Sequence, residues 1–205
     1  MSIRTLSDTD FEDSTLKRAR TDPTAHRLCY DWMIVQGNCH YARDRAAFTS
    51  YRPVTTVRLQ TNIFNPMEEL EVAGVGTVEI PVMRSLTDPT NPNHNHNPFD
   101  NTQSSTNTHT LVLENVLHIP EAVCNGFNPL LYGSSMSCTA ESWTGADRAG
   151  TPLWVATPFA GGSRLVLAGA AAQLQRQQGV SELIAGRYYT LSLYISPAEK
   201  AELMG

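Results

Sequence analysis

The side chains with the clearest chemical potential cluster between residues 31 and 45. Asp31 and Asp44 are carboxylates, and Cys39 and His40 place a thiol next to an imidazole. Two carboxylates that share one proton can activate water by general base action. A thiol that faces an imidazole can instead act as a nucleophile. The residue types in this short segment therefore suit two kinds of hydrolysis, one by a carboxylate base and one by a thiol nucleophile.

The thiol chemistry needs the imidazole of His40 to face the sulfur of Cys39, which neighbours in sequence seldom achieve. With His118 as a third group, a thiol hydrolase can be sketched. The sequence favours the simpler interpretation, a buried thiol beside a structural histidine.

Metal chemistry has little support in the sequence. His94 and His96 form a His-Asn-His stretch without a carboxylate or thiol partner nearby, so we expect solvated histidines, no metal and no cofactor. No C-x-x-C pair and no zinc-knuckle spacing occurs among the cysteines. The four cysteines are Cys29, Cys39, Cys124 and Cys138. We expect free thiols, as in an intracellular protein.

Composition narrows the class of protein. Hydrophobic residues make up 41% of the 205 residues, which is enough to bury a core, and 12 Pro with 13 Gly indicate many turns. The formal net charge of -5 argues against broad, charge-driven binding of nucleic acid. No apolar run is long enough to span a bilayer, and the N-terminus lacks the apolar core of a signal peptide. We therefore expect an intracellular protein without a membrane partner.

Strands must position most of these groups. A strand over residues 30–35 is predicted to run into a tight turn at Gly37. Residues 70–82 predict two strands or one bent strand, with Gly74 and Gly76 at the bend. The other predicted strands cover residues 54–60, 110–119, 153–157, 164–168 and 188–195. We expect core positions for four aromatic residues, Trp32, Phe48, Phe64 and Trp154.

Helices are predicted to be few and short. Residues 44–48 favour a short helical turn and residues 170–177 a short helix, and residues 139–152 predict a polar connection. A C-terminal helix should begin after Ser196, because Pro197 suits the first helical position and Glu199 completes a capping box.

Two segments lack the apolar content that a packed core requires. We predict a disordered arm over residues 1–27, a single domain over residues 28–205, and a mobile loop over residues 85–108 within it. The arm carries the basic cluster Lys17, Arg18 and Arg20. This cluster fits a nuclear import signal, and its simpler interpretation is a solvated charge run.

Several motifs occur together in a characteristic order. They are Trp32-Met33-Ile34-Val35-Gln36-Gly37, His40, Arg43-Asp44-Arg45 with Phe48, Gly74-Val75-Gly76-Thr77, and Val116-Leu117-His118-Ile119-Pro120. In order and rough spacing, residues 30–125 resemble the protease region of copia-type retrotransposon polyproteins. The closest resemblance is to stand-alone fungal members of that group with a degenerate catalytic motif.

The resemblance implies a small all-β fold, a retropepsin-like β-barrel with one or two short helices, including a C-terminal one. It places Val35 where such proteases carry the catalytic Asp and Gln36 where they carry the hydroxyl residue. It also implies a homodimer. The apolar segment that supports the turn in such folds has two candidates here, residues 124–127 and residues 130–133.

The favoured function is therefore a non-catalytic, transposon-derived module for binding or assembly with a protein or peptide partner. An aspartic-type peptidase that uses a relocated carboxylate, Asp31 or Asp44, is the first alternative. The second alternative is a nucleic-acid accessory protein, against which the acidic charge and the missing zinc knuckle count.

Overall fold

A computed structural model describes residues 28–60, 69–86, 107–177, 181–187, 189 and 191–204 of the chain. Within these residues the protein is mostly β-strand, so the all-β prediction with a C-terminal helix is confirmed. The predictions for the arm at residues 1–27, for most of the loop at residues 85–108, and for Phe64, His94 and His96 fall outside the described residues.

The described strands form one sheet of ten, in the spatial order β3-β4-β5-β2-β6-β1-β10-β9-β8-β7. Their bounds are β1 Trp32–Ile34, β2 Tyr41–Ala42, β3 Phe48–Gln60, β4 Glu69–Met83, β5 Thr108–His118, β6 Asn125–Phe127, β7 Ser135–Cys138, β8 Trp143–Ala146, β9 Pro152–Phe159 and β10 Gly162–Leu165. The described residues also contain three α-helices, α1 Pro129–Tyr132, α2 Gly169–Gln177 and α3 Pro197–Met204, and a 3-10 turn at Arg45–Ala47.

One half of the sheet consists of the long antiparallel strands β3, β4 and β5. Residues 70–82 form a single strand, β4, rather than two, and its register to β5 shifts between Gly76 and Val78. Opposite this shift, Val116 pairs with Gly76 and Leu113 pairs with Val78, so two residues of β5 face one residue of β4. Such a bulge lets one long strand bend without losing its buried face.

The centre of the sheet mixes parallel and antiparallel pairs. Strand β6 lies between β1, to which it runs parallel, and β2, to which it runs antiparallel. Strand β2 in turn runs parallel to β5. Because β1 pairs with β6 on one side and with β10 on the other, the position of its last residue, Ile34, is fixed. The turn at Gly37 follows directly.

The predicted strand at residues 188–195 is wrong for the residues that the structure describes. Leu193 makes only an isolated bridge to Gly37, and no ladder continues from it. Leu193 and Ile195 are buried while Tyr194 is exposed, so the segment is extended and buried on one side. Alternating hydrophobicity indicates that one face of a segment is buried. It does not require that the segment pairs with another strand.

The polar connection predicted at residues 139–152 is also wrong in part, because it contains β8. This strand pairs with β7 on one side and with β9 on the other. Helix α1 was not predicted, although its signals are present: Asn128 caps it, Pro129 stands at its start, and Gly133 ends it in the left-handed conformation at φ 77°.

The remaining helix predictions are confirmed. The 3-10 turn and α2 lie where expected. At α3 the capping box is reciprocal: the Ser196 N–H donates to Glu199 Oε2 at 2.6 Å, and the Glu199 N–H donates to Ser196 Oγ at 3.2 Å. Leu203 of this helix is fully buried, so α3 closes the core beside β3.

Candidate functional site

The turn Val35-Gln36-Gly37, which we call the degenerate turn, is held by hydrogen bonds to two segments, residues 127–128 and the extended residues around Leu193. The Val35 N–H donates to Phe127 O at 2.9 Å, and Asn128 Nδ2 donates to Gly37 O at 2.9 Å. On its other side, the Asn38 N–H donates to Leu193 O at 3.0 Å. The turn is therefore a fixed part of the core rather than a mobile loop.

Gly37 lies at the tight turn that the sequence predicts. Its φ is +105°, a conformation that favours glycine, and a Cβ atom there would lie 2.1 Å from Leu193 O. The chain can therefore pass the extended residues around Leu193, which we call the 193 segment, only because Gly37 has no side chain.

Val35 fills the position where the resemblance puts a catalytic carboxylate. Its side chain is 3% exposed and packs in a core cluster with Met33, Cys39 and Leu193. Gln36 is exposed, and its N–H donates to Ser192 Oγ at 3.0 Å. Val35 is thus a core residue, and the turn offers an amide and aliphatic groups but no acid or base.

A cleft of about 350 Å³ opens beside the degenerate turn. Leu130, Met136 and Tyr194 are exposed apolar side chains on its walls. Its described lining is Ile34, Val35, Gln36, Gly37, Pro129, Leu130, Met136, Trp143, Gly162, Ser163 and Tyr194. Among these residues there is no carboxylate, imidazole, thiol or ammonium group.

Neither relocated carboxylate lines this cleft. Asp31 is buried, and its Oδ1 accepts from Arg164 at 2.7 Å. Asp44 is also buried and accepts both from the Cys29 N–H at 2.6 Å and from Arg43 Nε. Both carboxylates are held by fixed donors, an arrangement that stabilises the fold around β1 and β2 and places neither of them at the cleft as a general base.

The thiol and the imidazole of the Cys39-His40 pair have separate partners. Cys39 Sγ contacts Leu193 O at 3.7 Å, and burial raises the pKa of this thiol to about 12. His40 Nδ1 accepts the Asn128 N–H at 3.1 Å, and burial lowers the pKa of His40 to about 4. Both shifts favour the neutral forms, which is the opposite of an active thiolate–imidazolium pair.

His118 does not complete a catalytic arrangement with them. Its Nδ1 lies 2.9 Å from the Tyr51 hydroxyl, and its ring contacts Phe48 edge-on. Desolvation by burial lowers the pKa of His118 as well. The structural interpretation of these side chains is therefore the one that the geometry supports.

No family model, curated protein or solved structure matches this chain. The resemblance to copia-type proteases consequently stands on the motifs alone.

Both candidate supporting segments lie at the degenerate turn. Residues 125–127 form β6, which pairs directly with β1, while Leu130 of the other segment lines the cleft. Sequence reasoning missed the residue between them, Asn128, which is fully buried and bonds to Gly37, His40 and Leu130. The Asn-Pro dipeptide before two leucines was the available signal.

The remaining observations concern the aromatic residues, the cysteines, metal-ligating side chains and helix length. Trp32, Phe48 and Trp154 are buried in one core cluster, as predicted. All four cysteines are free. In the part of the chain that the structure describes, no group of three or more metal-ligating side chains occurs. No helix among those residues is long and apolar enough to cross a membrane.

Proposed function

We propose that this protein is a non-catalytic binding module of retropepsin-like, transposon-derived type, whose cleft beside the degenerate turn receives an apolar segment of a protein partner. The observation that carries the proposal is the lining of the cleft. The described lining combines Val35, at the position where the resemblance places the carboxylate, with exposed apolar walls, and it contains no carboxylate, imidazole or thiol that could drive hydrolysis.

The shape and chemistry of the cleft suit a peptide with a large apolar side chain. A volume of about 350 Å³ lies within the usual range for ligand sites, and aromatic walls from Trp143 and Tyr194 supply contact area at low entropic cost. The Gln36 amide and the Ser163 hydroxyl line the same space and can pair with peptide groups. Apolar burial would supply affinity, and these polar groups would supply orientation.

The exposed apolar groups also bear on self-association. Leu130, Met136 and Tyr194 are 64%, 40% and 68% exposed, and in the homodimer that the resemblance implies a second copy of the chain would supply the apolar segment that covers them. The mass of the full-length protein in solution decides between monomer and dimer. Intracellular placement and nuclear import through the basic arm remain predictions of the sequence.

The aspartic-type peptidase remains the first alternative, and it would require Asp31 or Asp44 to leave its present partners. The nucleic-acid accessory protein remains the second, with the acidic net charge still against it.

Peptide selection tests the binding function. Peptides selected from a random display library on the full-length protein should contain large apolar side chains. A selected peptide should alter the fluorescence of the half-buried Trp143, the tryptophan that lines the cleft, since Trp32 and Trp154 are buried. Leu130→Glu should weaken binding at least about tenfold, because it places a charge on the apolar wall.

Ile184→Glu is the matched control, since Ile184 is 57% exposed against 64% for Leu130 but lies outside the described cleft lining. It should leave peptide affinity unchanged. A library that yields no enriched sequence, or selected peptides that bind Leu130→Glu as well as the parent, would contradict the proposed function.

A further inference from the structure

A second cavity, of about 440 Å³, lies across α1 from the cleft. Pro129 and Leu130 of α1 line the cleft, whereas Leu131 and Tyr132 line the second cavity. The chain divides in the same way, because residues 34–37 border the cleft and residues 38–40 border the second cavity. The proposed binding function makes no use of this second space.

His40 brings a buried hydrogen-bond donor to the wall of the second cavity. Because Nδ1 accepts the Asn128 N–H, the proton of the neutral ring resides on Nε2. Within the described residues, Nε2 has no hydrogen-bond partner, although His40 is only 6% exposed. A buried N–H donor without a partner destabilises the folded protein. A ligand atom in the cavity that accepts a hydrogen bond from Nε2 would remove this free-energy cost.

The bulge in β5 contributes Glu114 and Asn115 to the same lining. Asn115 has a φ of 55°, a left-handed conformation that is uncommon outside glycine, and it lies where two residues of β5 face one of β4. Bulges of this kind redirect side chains and recur next to binding sites. Here the bulge adds a carboxylate and an amide to the cavity lining.

Opposite charges line this cavity without neutralising each other. Lys200 of α3 and Glu114 both border it, yet neither forms a salt bridge within the described residues. Val112 and Leu131, which are 49% and 48% exposed, add apolar surface to the lining. The cavity therefore offers a cation, an anion, a neutral N–H donor and an aliphatic wall.

We propose that the second cavity binds a free α-amino acid with a large apolar side chain. The ligand carboxylate would meet Lys200 and the His40 Nε2–H, its ammonium would meet Glu114, and its side chain would cover Val112 and Leu131. A zwitterion matches a lining with one charge of each sign, and the cavity exceeds the size of a single amino acid. This site is separate from the cleft of the proposed function and does not depend on it.

Calorimetric titration of the full-length protein tests this assignment. L-leucine, L-methionine or L-phenylalanine should bind saturably at one site. N-acetyl-L-leucine, which lacks the ammonium, and L-leucinamide, which lacks the carboxylate, should each bind at least about tenfold more weakly than L-leucine. Lys200→Met should remove the preference over leucinamide, and Glu114→Gln should remove the preference over N-acetyl-leucine.

Glu202→Gln is the matched control for charge, because Glu202 lies on α3, is exposed and does not line the cavity. It should leave all affinities unchanged. Absence of saturable binding by all three amino acids would overturn the proposal. Equal affinity of L-leucine and its two blocked analogues would overturn it as well.

Lysine labelling gives a second readout that does not depend on variants. The chain has only two lysines, Lys17 and Lys200. L-leucine should slow acylation of Lys200 in the native protein relative to Lys17, which corrects for reagent consumed by the amino acid itself. Equal slowing of both lysines would contradict occupation of the cavity.

Discussion

Replacing Gly37 with valine should lower the free energy of unfolding by about 3 kcal/mol or more. Two independent costs combine at this position. A β-branched residue is strained at a φ of +105°, and its Cβ would lie 2.1 Å from the backbone oxygen of Leu193. Relief would require the 193 segment to move, which would break the hydrogen bond from the Asn38 N–H to Leu193 O. Chemical denaturation of both proteins measures the difference.

Gly150→Val separates the two costs. Gly150 also has a left-handed φ, of +82°, but a Cβ there would meet nothing within 4 Å. This variant should carry only the backbone strain and lose about 1–2 kcal/mol. If Gly37→Val costs no more than Gly150→Val, the close approach between the degenerate turn and the 193 segment is wrong.

Replacing Val35 with aspartate should destabilise the protein by about 3 kcal/mol at neutral pH, because a carboxylate would enter a position that is 3% exposed. Burial favours the neutral acid, so the folded-state pKa of the new carboxyl should be raised above the unfolded value of about 3.9. The penalty relative to the parent should then be absent below about pH 3.9, grow as the pH rises, and level off above the raised folded pKa.

Gln36→Asp provides the neighbouring control for this pH dependence. Gln36 is exposed in the same turn, so its aspartate should titrate near the ordinary value and cost little at any pH. Thermal unfolding of the two variants and the parent, measured from below about pH 3.9 up to about pH 8, compares their stabilities. A Val35→Asp variant as stable as the parent at about pH 8 would mean that position 35 is not buried.

The sequence predicted the parts of the fold that depend on local pattern. Residues 110–119 and 70–82 became β5 and β4 because alternation and burial agree along long strands. The pattern at residues 188–195 misled because its apolar side chains face the core while side chains clamp its backbone. Asn38 Nδ2 donates to Ile195 O, and Asn38 Oδ1 accepts the Ile195 N–H. Such clamps come from distant residues and leave no local trace.

The candidate site was predictable only at its centre. Val35 and Gly37 could be placed from the motif, since a buried strand that runs into glycine fixes a turn. The cleft could not be predicted, because its lining combines Tyr194 with side chains from β1, α1 and β8, which lie far apart in the sequence. The role of Asn128 could not be predicted from the sequence for a related reason. Its importance arises from bonds to Gly37 and His40, and only the folded chain brings these residues together.

The most direct test of the central claim, binding without hydrolysis, is mass spectrometry of peptides after incubation with the full-length protein between about pH 3 and pH 8. Peptides selected for binding to the cleft and unfolded protein substrates should both be recovered intact. Cleavage by the parent protein that disappears in Asp31→Asn or Asp44→Asn would contradict the claim, since it would show that one of these carboxylates serves as the catalytic base.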